Sequence, residues 1–328
     1  MFRKFTAAVR TELLIGFFIA ALLTVFAVLP SQFVTKAGVR SDATSPNPRA
    51  DFSGDGTTDV SVFRPSIGVW YADFSGGGGF TGIQWGVASD ELVPGDYDGD
   101  GITDTAVFRP NPTPHIADFL ILQSSDFIIS TFDFGIPGDI TTVGDYDGDG
   151  SDDISVWRES TKTWWVRKTT DGLFIVKQFG EVGDVPVPGD YDGNGITNLA
   201  IFRPGSNLWY IANSFDNPSQ DFYTVQFGSQ GDTLVQADYD GDGSDDVAVY
   251  RRSTGVWYIL ESSTESARIL KFGVKNDIPV PGDYDGDGSY DEAVYRSGVW
   301  YLNRSTLGYI AYKFGVEGDI PIPNEYIP

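Results

Sequence analysis

The chain has 328 residues, of which 46 are acidic and 22 basic, giving a formal charge of −24, and it holds no cysteine, one histidine (His115) and one methionine, Met1. Disulfide frameworks, thiol nucleophiles, Cys/His zinc sites and haem attachment are thereby excluded, and the charge argues against nucleic acid or anionic lipid as a partner. Yet 14% of residues are aromatic and 41% hydrophobic, too much for a disordered acidic tail, and the length suits two ordinary domains or one large ring or barrel.

In chain order, residues 1–37 place Arg3, Lys4 and Arg10 before an uncharged run, 13–29, and end on a small-x-small signal, Thr35-Lys36-Ala37. This predicts a signal peptide or, if uncleaved, an N-terminal anchor. Either places the remainder outside the cytoplasm: secreted, periplasmic or at the cell surface. Residues 38–45, the start of a polar stretch with two prolines, read as a linker, and residues 46–328 as one repeat domain.

A nine-residue acidic segment organises that domain. DFSGDGTTD begins at Asp51, DYDGDGITD at Asp96, DYDGDGSDD at Asp145, DYDGNGITN at Asp190, DYDGDGSDD at Asp238 and DYDGDGSYD at Asp283, at spacings of 45, 49, 45, 48 and 45 residues. Each copy leads into an alternating apolar strand ending in arginine (Arg64, Arg109, Arg158, Arg203, Arg251, Arg296) and then a second strand. A third strand ends in an aromatic-glycine pair, such as Phe134-Gly135, and a short, usually proline-containing fourth runs into the next copy. Period-2 alternation with Gly/Asp/Ser turns makes these four segments one small antiparallel sheet. Such a sheet cannot bury both faces alone, so copies must stack, and radial closure protects their edges. The prediction is an all-β fold, a β-propeller of six four-stranded blades; the alternative is a seven-bladed ring with a degenerate blade. Residues 320–326 repeat 278–284 and are a candidate to close the ring on the first blade, in competition with 46–52.

Four carboxylates within nine residues repel one another unless a cation sits among them. The pattern offers side-chain oxygens at positions 1, 3, 5 and 9, a glycine for the turn at 6 and a carbonyl at 7, an oxygen-only set suited to Ca²⁺, with up to six ions in the chain. In the first loop the candidate ligands are Asp51, Ser53, Asp55, Asp59 and the Thr57 carbonyl; in the second, Asp96, Asp98, Asp100, Asp104 and Ile102. The third offers Asp145, Asp147, Asp149, Asp153 and Ser151, and the fourth Asp190, Asp192, Asn194, Asn198 and Ile196. The fifth offers Asp238, Asp240, Asp242, Asp246 and Ser244, and the sixth Asp283, Asp285, Asp287, Asp291 and Ser289. Ser53 in the first loop and the two asparagines of the fourth predict weaker binding there. These positions take 21 of the 46 acidic residues, so much of the surplus charge is assigned to metal coordination.

The aromatic-glycine pair, the proline-containing strand and D-x-D-G-D-G-x-x-D together resemble FG-GAP repeats, also called VCBS-type repeats, over about 46–326. The resemblance implies a propeller like that of the integrin α chain, with calcium bound between the first two strands of a blade. It implies architecture and metal but leaves activity open.

Eight tryptophans suggest stacking platforms for sugars, but all lie at repeat positions, which points to core between blades. The six arginines predict forks with carboxylates in a neighbouring loop. Departures from the repeat are the better places for a specific site: the insertion 111–118 with His115, the loop 213–221, and Gly76–Gly79. The expected function is non-enzymatic adhesion or protein recognition, without catalytic residues or an organic cofactor. The alternative is a lectin on the same scaffold, and a polysaccharide lyase or hydrolase ranks third. The expected partner is a protein or glycan ligand outside the cell, with no nucleic acid, with membrane contact only through an uncleaved N-terminal segment, and with the propeller itself monomeric.

Overall fold

Valine-rich runs such as VSVFR are apolar on both faces, as a strand sandwiched between two neighbours requires, whereas the segments after them alternate. In a computed structural model, which describes residues 49–74, 79–111 and 118–323, these segments form six four-stranded antiparallel sheets. The second blade shows the plan: an inner strand Glu91–Leu92, a second Thr105–Phe108, a third Phe119–Leu122 and an outer Ile129–Phe132. Burial falls outward. All four residues of the second strand are buried, the third alternates, and the outer strand is half-buried or exposed. The fold is a six-bladed β-propeller, and the seven-bladed alternative is set aside.

The blade boundaries differ from the repeat boundaries by one strand. The short fourth segment does not join the sheet of its own repeat; it pairs with the strand beyond the acidic loop, Glu91 with Phe108 and Leu92 with Val107. Acidic loops 2 to 6 therefore each connect the inner and second strands of one blade, and each of blades 2 to 6 draws on two consecutive repeats. Closure follows from this offset. The inner strand of the first blade is Ile320–Pro321, with Val62 opposite Pro321 and Phe63 opposite Ile320. Residues 49 and 50 complete the same edge: Asp59 N–H donates to the Ala50 carbonyl at 2.9 Å, the bond Asp104 makes to Gly95 at 2.7 Å. The two chain ends thus share the role for which they competed in sequence.

Six of the eight repeat-phase tryptophans are core, whereas Trp85 and Trp165 are half-buried. Trp157, Trp164, Trp209, Trp257 and Trp300 are fully buried and Trp70 nearly so. Five indoles also explain the aromatic-glycine pair: Trp70, Trp164, Trp209, Trp257 and Trp300 each donate to the carbonyl of the aromatic residue at 2.9–3.2 Å. The glycines that follow have φ between +84° and +113°, where a Cβ is strained. The arginines fork onto Asp319, Asp90, Asp139, Asp184, Asp232 and Asp277, in the turns that enter the inner strands. The predicted signal or anchor and linker, His115, Gly76–Gly78 and residues 324–328 lie outside the described residues. Among the described residues no helix is long and apolar enough to cross a membrane.

Candidate metal centres

Each acidic loop is folded by its first aspartate. Asp96 Oδ1 accepts the amides of Gly99 and Asp100 at 2.8 and 3.2 Å, and Oδ2 accepts that of Gly101 at 2.9 Å. The glycines at positions 4 and 6 have positive φ in all six loops, so the chain winds round this carboxylate in a way a β-branched residue resists. The ninth-position carboxylate closes the loop by accepting the position-2 amide, Tyr97 to Asp104 at 3.0 Å. The position-2 tyrosines point inward, their hydroxyls donating to a carbonyl four residues earlier at 2.5–2.8 Å.

The loops are joined to one another. The position-8 amide of each donates to the position-1 carbonyl of the loop before: Thr103 to Asp51, Asp152 to Asp96, Thr197 to Asp145, Asp245 to Asp190, Tyr290 to Asp238 and Thr58 to Asp283, all at 2.6–2.7 Å. The last bond closes the circle, so the six loops occupy one face in one continuous ring. Arg49 lies against this ring, its backbone N–H donating to the Tyr290 hydroxyl at 3.1 Å and its guanidinium 4.0 Å from Asp245. Burial pushes Asp152 up to about 7 and Asp245 to about 6, and the Arg49 charge opposes the rise in both.

Positions 1, 3 and 9 converge in four loops. The groups are Asp96, Asp98 and Asp104; Asp145, Asp147 and Asp153; Asp238, Asp240 and Asp246; and Asp283, Asp285 and Asp291, with one oxygen of each residue within 4.8 Å of the others. Burial raises the ninth-position carboxyls, to about 7 at Asp104, Asp246 and Asp291 and about 6 at Asp153, against the amide hydrogen bonds that lower them. Asp147 Oδ1 and Asp285 Oδ1 are buried without a hydrogen-bond partner. A buried carboxylate oxygen facing other carboxylates is costly without a cation, and three hard oxygens in this arrangement fit a divalent ion.

Position 5 is placed differently from 1, 3 and 9. Its Oδ1 accepts the position-7 amide in every loop, at 2.7–3.0 Å, and it stands outside the four groups. A feature that sequence reading missed engages it. The hairpin between the third and outer strands lies over the loop and brings a pair of hydroxyl residues: Ser124-Ser125, Thr169-Thr170, Ser262-Ser263 and Ser305-Thr306. The first of each pair donates its backbone N–H to the ninth-position aspartate at 2.6–2.7 Å and its hydroxyl to the fifth at 2.6–3.0 Å. The second reaches the third-position aspartate, as Ser125 does to Asp98 and Ser263 to Asp240, both at 2.5 Å. The in-phase Ser/Thr pairs, present only in repeats whose loops carry all four acids, were the available signal.

Loops 1 and 4 are built otherwise. Ser53 Oγ donates to Asp51 at 3.2 Å and lies 3.5 Å from Asp59, so a neutral hydroxyl bridges the two carboxylates. In loop 4 Asn198 keeps the position-2 contact, accepting from Tyr191 at 2.7 Å, but its Nδ2 donates to the Ala212 carbonyl at 3.4 Å where the other loops accept from the hairpin. Thr57 and Ile196 occupy position 7 in these loops, with Asp55, Asp192 and Asn194 nearby in sequence.

Fold and site together define a six-bladed β-propeller with a ring of acidic loops on one face. No protein-family model matches the chain, and no curated protein matches it in sequence. Among solved structures it is similar to a lectin of Agrocybe aegerita described as recognising non-reducing terminal N-acetylglucosamine, at 15% identity and a TM-score of 0.52 over 85% of this chain and 79% of that one. It is also similar to a streptogramin B lyase, at 8% identity and a TM-score of 0.51 over 84% and 85% of the two chains. Likeness at these identities is one of fold, and the two neighbours' different activities show how little the ring alone specifies.

Proposed function

We propose that the chain is a calcium-stabilised propeller of the FG-GAP or VCBS type that acts as a non-enzymatic recognition module outside the cytoplasm, in adhesion or in the capture of a ligand. The observation that carries this is the set of four aspartate groups, with the buried, partnerless oxygens of Asp147 and Asp285 among them. Calcium is favoured over magnesium because Mg²⁺ dehydrates reluctantly and seldom takes an all-protein cage. Extracellular calcium modules bind with Kd of about 10⁻⁴ to 10⁻³ M, a range that would leave the loops nearly empty in the cytoplasm and suits the export pattern at the N-terminus. The absence of cysteine fits as well, since bound calcium can do the stapling that disulfides do in other exported proteins.

The test is thermal melting of the full chain in excess EDTA, in millimolar calcium and in millimolar magnesium. At calcium about tenfold above Kd each site contributes roughly 1.4 kcal/mol, so four sites raise the melting temperature by about 10 °C or more. Calcium is expected to do this and magnesium much less. A melting temperature indifferent to EDTA would overturn the metal reading.

A further inference from the structure

We propose that Lys168 is a resident counter-ion of loop 3, which makes that loop the weakest of the four complete sites and the one that responds to calcium after the other three have filled. The inference rests on the metal reading above and gives the four loops different parts in it.

The difference lies at the third-position aspartate. In loop 3 its two oxygens have separate surroundings: Asp147 Oδ1 is buried without a partner, while Oδ2 accepts from the Thr170 hydroxyl and lies 3.7 Å from Lys168 Nζ. Loop 6 is the nearest match, because Asp285 Oδ1 is also buried and unpartnered. There, however, Oδ2 accepts two backbone amides, from Thr306 at 3.0 Å and Leu307 at 2.8 Å. In loops 2 and 5 it accepts a serine hydroxyl. Those donors are neutral, so among the four complete loops it is loop 3 that sets a full positive charge against this carboxylate.

The lysine comes from the place just before the hydroxyl pair, where the other three blades carry Gln123, Glu261 and Arg304. Glu261 pairs with Arg268 at 2.9 Å, and Arg304 turns back over its own hairpin, its Nε donating to the Gly308 carbonyl at 3.1 Å. Lys168 faces the loop and is also held 3.1 Å from Asp171 on the hairpin. Its ammonium stands between a carboxylate of the metal group and one outside it. The Lys168 and Asp147 side chains are only 21% and 11% exposed, so the pair escapes part of the screening that makes surface ion pairs weak.

Two consequences follow from the charge. Without metal, the ammonium offsets the repulsion among Asp145, Asp147 and Asp153. When a divalent ion enters, the same ammonium repels it across one carboxylate and withdraws toward Asp171. Loop 3 exchanges one cation for another, whereas loops 2, 5 and 6 gain one. Affinity in such loops follows the charge of the ligand set, and one positive charge at this range is worth about tenfold even with screening close to that of water.

The experiment is calorimetric titration of the full chain, stripped of metal, with calcium chloride, together with melting temperatures in EDTA and in calcium. The parent is expected to show a tight class of three sites. Lys168→Gln, which installs the residue of blade 2, should raise that count to four, and Lys168→Arg, which keeps the charge, should leave it at three. Asp147→Asn added to Lys168→Gln should return it to three, which assigns the gained site to loop 3. In EDTA the Lys168→Gln chain should melt lower than the parent while gaining more from calcium; a lysine that only braced the hairpin would lower both values alike. Four equivalent tight sites in the parent, or a count that Lys168→Gln does not change, overturns this proposal and leaves the metal reading standing. No calcium binding by the parent at all overturns the metal reading, and this inference with it.

Discussion

Loops 2, 3, 5 and 6 differ from loops 1 and 4 in more than the number of acids. Where positions 1, 3 and 9 are all aspartate, a Ser/Thr pair on the overlying hairpin supplies N–H and hydroxyl donors to them. Where an acid is missing, the second hydroxyl of the pair is missing too: the corresponding residues are Ser75-Gly76 in blade 1 and Ser214-Phe215 in blade 4. The lesson is that the binding unit is a loop with its hairpin. Concentrated negative charge needs donors where no metal is bound, and a neutral serine or asparagine in the loop relieves that need.

The largest effect expected from this comparison comes from disabling the four complete loops together, by Asp98→Asn, Asp147→Asn, Asp240→Asn and Asp285→Asn. Calcium stabilisation of about 5–6 kcal/mol at tenfold Kd should vanish from denaturant midpoints, while stability in EDTA holds or rises as like charges are removed. A residual calcium response as large as the original would place the strong sites in loops 1 and 4 and break the comparison. Next in size is Asn198→Asp. In loop 4 the amide nitrogen meets the Ala212 carbonyl, so a carboxylate there faces an acceptor with no donor, and stability in EDTA should fall by about 1–3 kcal/mol. Unchanged urea midpoints would show that the hairpin adapts to the charge.

Much of this was legible in the chain before any coordinates. The period, the acidic pattern and the aromatic-glycine pairs specify the ring, because each is repeated and each has one physical purpose. The phase of the blades was not legible. An inner strand of two residues such as Glu91–Leu92 carries too little pattern to say which neighbour it joins, and only the pairing with Phe108 and Val107 decides it. The hairpin pairs escaped notice for a different reason: serine and threonine read as ordinary turn residues, and their distance from the loop varies between blades. The inter-loop circle of backbone hydrogen bonds leaves no side-chain trace at all.

A smaller change runs the comparison in reverse. Ser53→Asp supplies the missing third-position acid in loop 1, where Asp51 and Asp59 already face the serine hydroxyl. Calorimetric titration should count one more site in the tight class, worth about 1.4 kcal/mol at tenfold Kd. The hairpin of blade 1 lacks the full donor pair, so this variant should also be less stable than the parent in EDTA. Equal stability of the two in EDTA would deny that the hairpin donors matter.

The smallest effect addresses those donors directly. Ser263 Oγ donates to Asp240 at 2.5 Å and Ser262 Oγ to Asp242 at 3.0 Å, both on an exposed edge. Ser262→Ala with Ser263→Ala removes two charge-assisted bonds while keeping the Ser262 backbone N–H on Asp246 at 2.6 Å. In EDTA the loss should be about 1–3 kcal/mol in total, since exposure to water offsets part of each bond. In saturating calcium the loss should shrink, because the cation takes over the charge that the hydroxyls were balancing. A penalty of the same size in both conditions would mean that the hydroxyls hold the hairpin in place and do not stand in for the metal.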